Sequence, residues 1–224
     1  MKRWLRPLLY GATATTLICL VLAATAYYLL KNTLETLPRL PTDPTALGLR
    51  PGTEIYASSG ERIFTFNRSQ HWVDLDQISP FVVQALIATE DTRFYDHRGI
   101  DIKALLGALQ ANLLQGFGAR GGSTLTQQLV KHLFFSPRKT LQRKISEMLL
   151  ALQLESFYAR AFPGTATASS GQTYPIYKNR LLELYLNTVF YGADAYGIAD
   201  AAQIYFGRTA AELDLPRAAL LMEA

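Results

Sequence analysis

An uncharged apolar stretch near the N-terminus constrains this chain more than any other feature of its sequence. Residues 8–30 read LLYGATATTLICLVLAATAYYLL, which is 23 residues without a charged side chain. A helix of that length rises by about 1.5 Å per residue, so it can cross a hydrocarbon core of about 30 Å. Three basic residues lie in 1–7, and only Lys31 follows the stretch closely. The positive-inside bias therefore predicts a membrane anchor over 8–30, with 1–7 as a cytoplasmic tail and the rest of the chain on the other side.

A cleaved signal peptide is the alternative interpretation of this stretch. Ala24, Thr25 and Ala26 offer a weak cleavage site. The apolar part of a signal peptide covers about 7–15 residues, however, and the run here is longer. The sequence therefore favours an uncleaved anchor.

Composition and charge exclude several classes of protein. Of the 224 residues, 49% are hydrophobic and 11% are aromatic, so the chain can bury a core and is not disordered over most of its length. The net charge of +4 comes mostly from Lys2, Arg3 and Arg6, so the rest is close to neutral and nucleic acid is not an expected partner. Cys19 is the single cysteine, which excludes an internal disulfide and a cysteine-rich zinc site.

Beyond the apolar stretch, the sequence predicts a linker and one mainly α-helical domain. Residues 31–52 contain four prolines and little periodicity, which is typical of a linker, and 53–224 form the domain. Alternating apolar residues around a Ser-Ser-Gly turn predict a β-hairpin over 55–66. Helices are then predicted from Ser79 and Pro80, after Asp101, after Ser123, over 139–159, 178–190 and 195–206, and from Pro216. No stop signal precedes Ala224, so we expect the domain to continue beyond it.

Apolar spacing predicts the faces of two of these helices, and small polar residues predict a loop. The helix after Asp101 carries four leucines on one face, Leu105, Leu106, Leu109 and Leu113. The helix over 139–159 has a stripe predicted to be buried, formed by Leu141, Ile145, Met148, Leu149 and Leu152. Residues 161–173 read AFPGTATASSGQT and predict a flexible surface loop.

Two adjacent acids stand at the end of the helix that begins at Pro80. Glu90 and Asp91 oppose the helix dipole there, so stability does not explain their position. A catalytic or binding role is one interpretation. The other is a solvated turn in which Arg93 and Arg98 pair with the acids.

A glycine-rich helix start and a cluster of basic residues follow. Gly-Gly-Ser-Thr over 121–124 can bring backbone N–H groups to an anion, or can be a plain turn with a serine cap. Arg143, Lys144 and Glu147 share one helix face, because they are three and four residues apart. An exposed salt bridge and a phosphate site with an acid beside it both fit that spacing. Glu183 and Asn187 are also four residues apart, and their spacing alone favours a solvated face.

Five stretches together narrow these alternatives. EDTRFYDHRGID (90–101), GGSTLTQQLVK (121–131), RKISE (143–147), KNRLLELYLN (178–187) and AAQIYFGR (201–208) occur in that order. They closely resemble the five motifs of the family 51 glycosyltransferases, the peptidoglycan polymerases of class A penicillin-binding proteins and monofunctional transglycosylases. The resemblance runs from about Ile55 to the last residue, and several motifs match almost letter for letter.

The resemblance implies a fold, a reaction and a place in the cell. We expect a lysozyme-like domain with two lobes around a long cleft, at the outer, periplasmic face of the bacterial inner membrane. The expected substrate is lipid II, a disaccharide-pentapeptide on undecaprenyl pyrophosphate, with a lipid-linked glycan as donor. One inversion turns the α-linked phosphate into a β-1,4 bond and releases undecaprenyl pyrophosphate. Other cell-wall enzymes are further expected partners.

The same resemblance implies roles for residues. Glu90 matches the catalytic base, and Glu147 matches the second acid of the cleft, which steadies the leaving pyrophosphate. No cofactor is required, although a divalent ion, Mg²⁺ or Mn²⁺, near Glu147 is compatible with the resemblance. Asp91 and His97 belong to the first motif, where we expect them to shape the loop. The residues expected to bind substrate are Asp91, Ser123, Thr124, Gln127, Gln128, Lys131, Arg143, Lys144, Glu183 and Asn187.

The chain departs from the family pattern at three places, and two other functions compete. His132 stands where the family usually has asparagine, Arg217 where it usually has glutamate, and the segment 156–177 is longer than usual.

A lysozyme-like glycan hydrolase would share the fold and a catalytic glutamate but would have no use for the basic residues. A non-catalytic, membrane-anchored scaffold for wall enzymes would have no need of the acids.

The segment LLQGFGAR (113–120) combines apolar residues with a basic neighbour. Such a segment suits a membrane interface, where a lipid-linked substrate would have to be met. The alternative is that Leu113, Leu114 and Phe117 pack under the turn.

Overall fold

The chain forms two compact units. A computed structural model describes residues 5–41, 43, 46–47, 53–66, 71–116, 121–136, 140–167, 171 and 173–223. One unit comprises Met1–Arg39 and Lys139–Ser146, and the other comprises Leu40–Arg138 and Glu147–Ala224. The predicted tail (1–7) and linker (31–52) lie partly outside the described residues and stay predictions.

The first unit contains the long apolar helix that the sequence predicts. Helix α1 (Leu5–Thr36) begins before the uncharged stretch and ends after it. Its part from Thr13 to Thr36 has a mean hydropathy of 1.8 and is long and apolar enough to cross a membrane. Leu17, Leu20 and Leu22 are exposed, as apolar side chains on a lipid-facing helix would be.

The second unit opens with the predicted hairpin. Strands β1 (Thr53–Tyr56) and β2 (Arg62–Phe66) pair antiparallel, with Thr53 opposite Phe66. The turn between them includes Gly60, which has a φ of +84°. Residues with a side chain rarely adopt this conformation. The predicted hairpin is therefore confirmed.

Helices make up most of the second unit, which confirms the mainly α class. They are α2 (Pro80–Glu90), α3 (Ile102–Gln115), α4 (Leu125–Phe134), α5 (Leu141–Ala161), α6 (Ile176–Thr188), α7 (Ile198–Phe206) and α8 (Leu215–Glu223). Only the first turns of α5 belong to the other unit. Helix α2 packs on α8, and α4 packs on α6. The fully buried side chains of these helices include Val82, Leu86, Leu129, Leu182 and Leu186.

The predicted helix starts are largely confirmed. Ser79 is the N-cap of α2 and Pro80 its first residue. Asp101 caps α3, because its carboxylate accepts a hydrogen bond from the N–H of Ala104. The cap of α4 is Thr124 rather than Ser123, since the Thr124 hydroxyl is the one that accepts from the N–H of Gln127.

The predicted buried stripe of α5 is wrong. Leu141 and Leu152 are exposed, and Met148 and Leu149 are only partly buried. The buried side of the helix instead contains Glu147, Leu150, Ala151, Leu154, Glu155 and Tyr158. Because two acids, Glu147 and Glu155, lie on this side, polarity alone assigns it to the solvent.

The predicted loop over 161–173 is partly a second hairpin. Strands β3 (Thr165–Thr167) and β4 (Thr173–Pro175) pair antiparallel, with Thr165 opposite Pro175. Residues 168–170 and 172, between these strands, lie outside the described part of the chain. Tyr174 in β4 lies against Tyr95, with ring centroids 5.0 Å apart, so the hairpin contacts the loop that follows α2.

Candidate active site

Glu90 ends α2, and its carboxylate is held from the neighbouring helix α4. The Gln128 amide donates a hydrogen bond to Oε2 of Glu90 at 2.6 Å. Glu90 is only partly buried. Gln128 also accepts a hydrogen bond from the hydroxyl of Tyr185 on α6, at 2.9 Å. Two consecutive hydrogen bonds therefore link Glu90 to side chains on α4 and α6.

The adjacent acid, Asp91, is used differently. It is buried and accepts hydrogen bonds from Nε2 of His97, at 3.0 Å, and from the N–H of Leu125, at 3.0 Å. Leu125 is the first residue of α4, so the Asp91 carboxylate lies at a helix N-terminus, where a negative charge is favoured. These contacts fix the start of α4 next to the end of α2. They confirm that Asp91 and His97 shape the loop, and substrate binding by Asp91 stays a prediction.

The two acids therefore do not form the solvated, arginine-paired turn that one interpretation of the sequence proposed. The Arg93 guanidinium pairs with Asp101 rather than with either acid. Desolvation by itself would raise the pKa of Asp101, but the hydrogen bonds from the N–H of Ala104 and from the Arg93 guanidinium together hold that pKa below its usual range.

Thr124 and Gln127 tie the start of α4 to the loop after α2. The Thr124 hydroxyl donates to the carbonyl oxygen of Gly99 at 2.7 Å, and the Gln127 amide donates to the same oxygen at 3.3 Å. Gly99 has a φ of +86°, and a Cβ there would lie 2.9 Å from the carbonyl oxygen of Ala151. Both side chains are buried, and Ser123 before them is partly buried.

Lys131 lies on the same side of α4 as Gln128, because the two residues are three apart. It is partly buried in the last turn of the helix, as is His132, where a cation is favoured by the helix dipole. The position is consistent with the predicted phosphate contact of Lys131, which stays a prediction.

The predicted group of Arg143, Lys144 and Glu147 lies on the continuous helix α5. Arg143 and Lys144 are partly buried and belong to the first unit, whereas Glu147 is buried and belongs to the second. Spacings of three and four residues along one helix place the three side chains on one side of it. Their predicted action together with Glu90 stays a prediction.

Glu183 and Asn187 are buried, so the solvated face that their spacing alone favours is wrong. The Asn187 amide donates to the carbonyl oxygen of Val73 at 2.9 Å and accepts from the N–H of Val73 at 2.9 Å. The Glu183 carboxylate accepts from the N–H of Leu75 at 3.1 Å. The two side chains thus hold the segment before α2 in place, and their predicted contact with substrate stays a prediction.

A buried ion pair lies behind the loop after α2, and sequence reasoning missed it. The Lys178 ammonium is fully buried, 2.7 Å from Oε1 of Glu155, which also accepts from the Thr126 hydroxyl at 2.7 Å. The ammonium lies over the ring of Phe94, 4.4 Å from its centroid. Burial lowers the pKa of Lys178, and the Glu155 carboxylate opposes that shift. A lysine in the first turn of a leucine-rich helix is the signal that the sequence offers.

The described residues contain one group of three acidic or imidazole side chains close enough to share a metal ion, Asp91, His97 and Asp101. This group does not fit a divalent ion, because Arg93 already pairs with Asp101 and the N–H of Leu125 already donates to Asp91. Glu147 is not part of it, so the divalent ion expected near Glu147 stays a proposal.

Comparisons with known proteins find relatives in the family that the motifs resemble. The family model described as "Transglycosylase" matches residues 59–224. The chain is 38% identical over 206 residues to penicillin-binding protein 1A of Escherichia coli, covering 91% of this chain and 22% of that protein. It is 44% identical over 145 residues to a biosynthetic peptidoglycan transglycosylase of Nitrosomonas eutropha, covering 64% of this chain and 52% of that protein. The chain thus spans between about a fifth and a half of these relatives.

Proposed function

This chain belongs to the transglycosylase family, and we propose that it is a peptidoglycan glycosyltransferase that polymerises lipid II into β-1,4-linked glycan strands. The observation that carries the proposal is Glu90, a partly exposed residue at the end of α2 whose carboxylate is held at 2.6 Å by the Gln128 amide. A carboxylate at the end of a helix, held in place by an amide donor, can act as a general base. One of the relatives described above is named a biosynthetic peptidoglycan transglycosylase.

In the proposed reaction, Glu90 takes the proton of the acceptor's 4-hydroxyl as that oxygen attacks the anomeric carbon of the donor. A sugar hydroxyl is a weak nucleophile until a base removes its proton in the transition state. The C–O bond to the donor's pyrophosphate breaks as the new bond forms. One displacement inverts the anomeric centre, so the α-linked donor gives a β-linked product without a covalent sugar intermediate.

The leaving pyrophosphate needs its growing charge neutralised rather than a proton. We assign this work to Lys131, Arg143 and Lys144, whose cations suit phosphate oxygens. Glu147 would steady the leaving group from the same face of α5, where a divalent ion, if bound, would supply further positive charge. Ser123, Thr124, Gln127 and Gln128 would line the donor side.

Two features of the chain, helices α1 and α3, suit a protein that works at a membrane. Helix α1 would anchor the protein with its N-terminus in the cytoplasm, which keeps the catalytic domain near the lipid-linked substrate. Helix α3 exposes an apolar side made of Ile102, Leu106, Leu109, Leu113 and Leu114. We propose that this side of α3 lies in the bilayer interface.

The predicted interfacial segment 113–120 is described only in its first part. Leu113 and Leu114 are 75% and 76% exposed, so the alternative that these two residues pack under the turn is wrong. Phe117 and Arg120 lie outside the described residues.

Incubation with labelled lipid II tests the proposed activity. Polymer that disappears in Glu90→Gln supports the proposal. Soluble glycan fragments would identify a hydrolase, and unchanged substrate would identify a non-catalytic scaffold.

Liposome flotation tests the interfacial role of α3. A chain that begins near Lys31 should still bind liposomes, and Leu113→Ser combined with Leu114→Ser should reduce that binding severalfold. Leu220→Ser is the matched control, because Leu220 is also exposed but lies on α8. Equal binding by the double variant and the control would refute the interfacial role of α3.

A further inference from the structure

The hydroxyl of Tyr185 lies two hydrogen bonds away from the carboxylate of Glu90. Tyr185 donates to Oε1 of Gln128 at 2.9 Å, and Nε2 of Gln128 donates to Oε2 of Glu90 at 2.6 Å. The tyrosine is buried on α6, the glutamine lies on α4 and the glutamate ends α2. One line of hydrogen bonds thus connects three helices to this acid.

The orientation of the Gln128 amide depends on both of its neighbours. An ionised carboxylate only accepts hydrogen bonds, whereas an amide has one donating end and one accepting end. If the amide turned over, its oxygen would face the Glu90 carboxylate and repel it. The phenolic proton of Tyr185 would then lose its acceptor, which is costly for a buried donor. The tyrosine hydroxyl therefore favours the one orientation in which the amide N–H₂ faces Glu90.

Tyr185 is suited to remain a donor. Burial, together with the negative charge of Glu90 nearby, raises the pKa of Tyr185 well above its ordinary value of 10.0. The phenol therefore keeps its proton throughout the neutral range. A neighbouring buried tyrosine, Tyr191, differs in that its hydroxyl has no hydrogen-bond partner within the described part of the chain.

We propose that Tyr185 is a positioning residue for glycosyl transfer, which fixes the Gln128 amide so that the amide holds the Glu90 carboxylate where it can take the acceptor's proton. This inference rests on the proposed function, because it requires Glu90 to be the base. Tyr185 touches neither reacting sugar in this scheme. Loss of its hydroxyl removes neither the base nor the phosphate-binding cations, but it lets the base leave its position, so the chemical step slows while binding is retained.

Steady-state kinetics of the full chain with fluorescent lipid II test the inference. A neutral hydrogen bond accounts for about a two- to tenfold change in rate. Tyr185→Phe should therefore lower kcat by about two- to tenfold and leave KM unchanged. Tyr191→Phe, which removes the same atom from a neighbouring buried ring, should leave both constants unchanged. Melting temperatures of the variants establish that each is folded.

A second pair of variants shows whether Tyr185 acts through Gln128. Gln128→Met removes the amide while keeping a similar length, and Tyr185→Phe should have almost no further effect on kcat in that background. An equal loss with and without the amide would mean that the tyrosine acts by general packing and would overturn the inference. If Tyr185→Phe does not fold, Gln128→Met alone must lower kcat by at least about twofold. An unchanged kcat in Gln128→Met would then overturn the inference.

The two proposals fail in distinguishable ways. Polymer made by the unaltered chain, together with an unchanged kcat or a changed KM in folded Tyr185→Phe, would overturn the role of Tyr185 alone. Absence of polymer from the unaltered chain would overturn the proposed function, and the role of Tyr185 with it.

Discussion

Replacing Lys178 by methionine should destabilise the second unit far more than replacing a surface cation does. The Lys178 ammonium and the Glu155 carboxylate lie 2.7 Å apart and are 0% and 2% exposed. Methionine preserves most of the lysine's volume but removes its charge, so Glu155 would stay buried without its counter-ion. Breaking a buried pair in this way costs about 3–5 kcal/mol. For a domain of 150–250 residues, that corresponds to a fall of about 6–20 °C in melting temperature.

Arg217→Met is the matched control for this prediction. Arg217 pairs with Asp214 near the start of α8, but the two side chains are 40% and 49% exposed. Exposed pairs contribute about 0–1 kcal/mol, so the control should lower the melting temperature by only a few degrees. Thermal unfolding of the detergent-solubilised chain, followed by circular dichroism, compares the variants. Adding Glu155→Met to Lys178→Met should restore most of the lost stability, because a buried pair replaced by apolar residues is often neutral.

Two results would refute this reasoning. A melting temperature for Lys178→Met that falls no further than that of Arg217→Met would show that the buried pair contributes no more than an exposed one. A double variant as unstable as Lys178→Met would locate the loss in packing, for example in the contact of the ammonium with the Phe94 ring, 4.4 Å away, rather than in an uncompensated charge.

Three further predictions concern the site and its surroundings. Glu90→Gln should abolish polymer formation with little change in melting temperature, because an amide cannot take the acceptor's proton; substantial polymer from the folded variant would refute the assignment of the base. Arg143→Ala and Lys144→Ala should each weaken binding of the lipid-linked donor about tenfold or more, since a charge-assisted hydrogen bond contributes about 1.5–3 kcal/mol; unchanged binding and turnover would place that residue on a solvated face. Burial, with Tyr174 nearby, raises the pKa of Tyr95 from 10.0 to about 12. The stabilisation linked to this shift is complete below pH 10 and is lost as the pH rises towards 12. Over that range, the free energy of unfolding measured in urea should therefore fall less steeply for Tyr95→Phe than for the unaltered chain. An equal fall in both would contradict the assignment.

Local signals in the sequence are enough to predict most helices and their starts. Ser79 and Pro80 begin α2, and Asp101 caps α3, because capping depends on residues within one turn of each other. The start of α4 shows the limit of such signals. Ser123 and Thr124 are equally good N-cap residues by type. Thr124 is the one that caps α4, and its hydroxyl also donates to the carbonyl oxygen of Gly99, in the loop after α2.

Contacts between distant segments explain what the sequence could not predict at the site. The acceptor for the N–H of Leu125 is Asp91, 34 residues away, and the partner of Asn187 is the backbone of Val73, 114 residues away. No spacing rule pairs such residues. A polar side chain is scored as solvated unless its partner is known, so Asn187 was expected on the surface.

Helices α6 and α3 both depart from the rule that polar residues face water and apolar residues face the core, but for opposite reasons. Helix α6 buries Lys178, Glu183 and Asn187, and the structure gives each of them a charged or backbone partner, so the cost of burial is offset. Helix α3 exposes a row of leucines, and among its described residues only Ala108 is buried. Apolar surface left in water forgoes about 25 cal/mol per Å², and nothing within α3 offsets that loss. A bilayer interface would remove that loss, which agrees with the proposed function, because the proposed substrate is held in the bilayer.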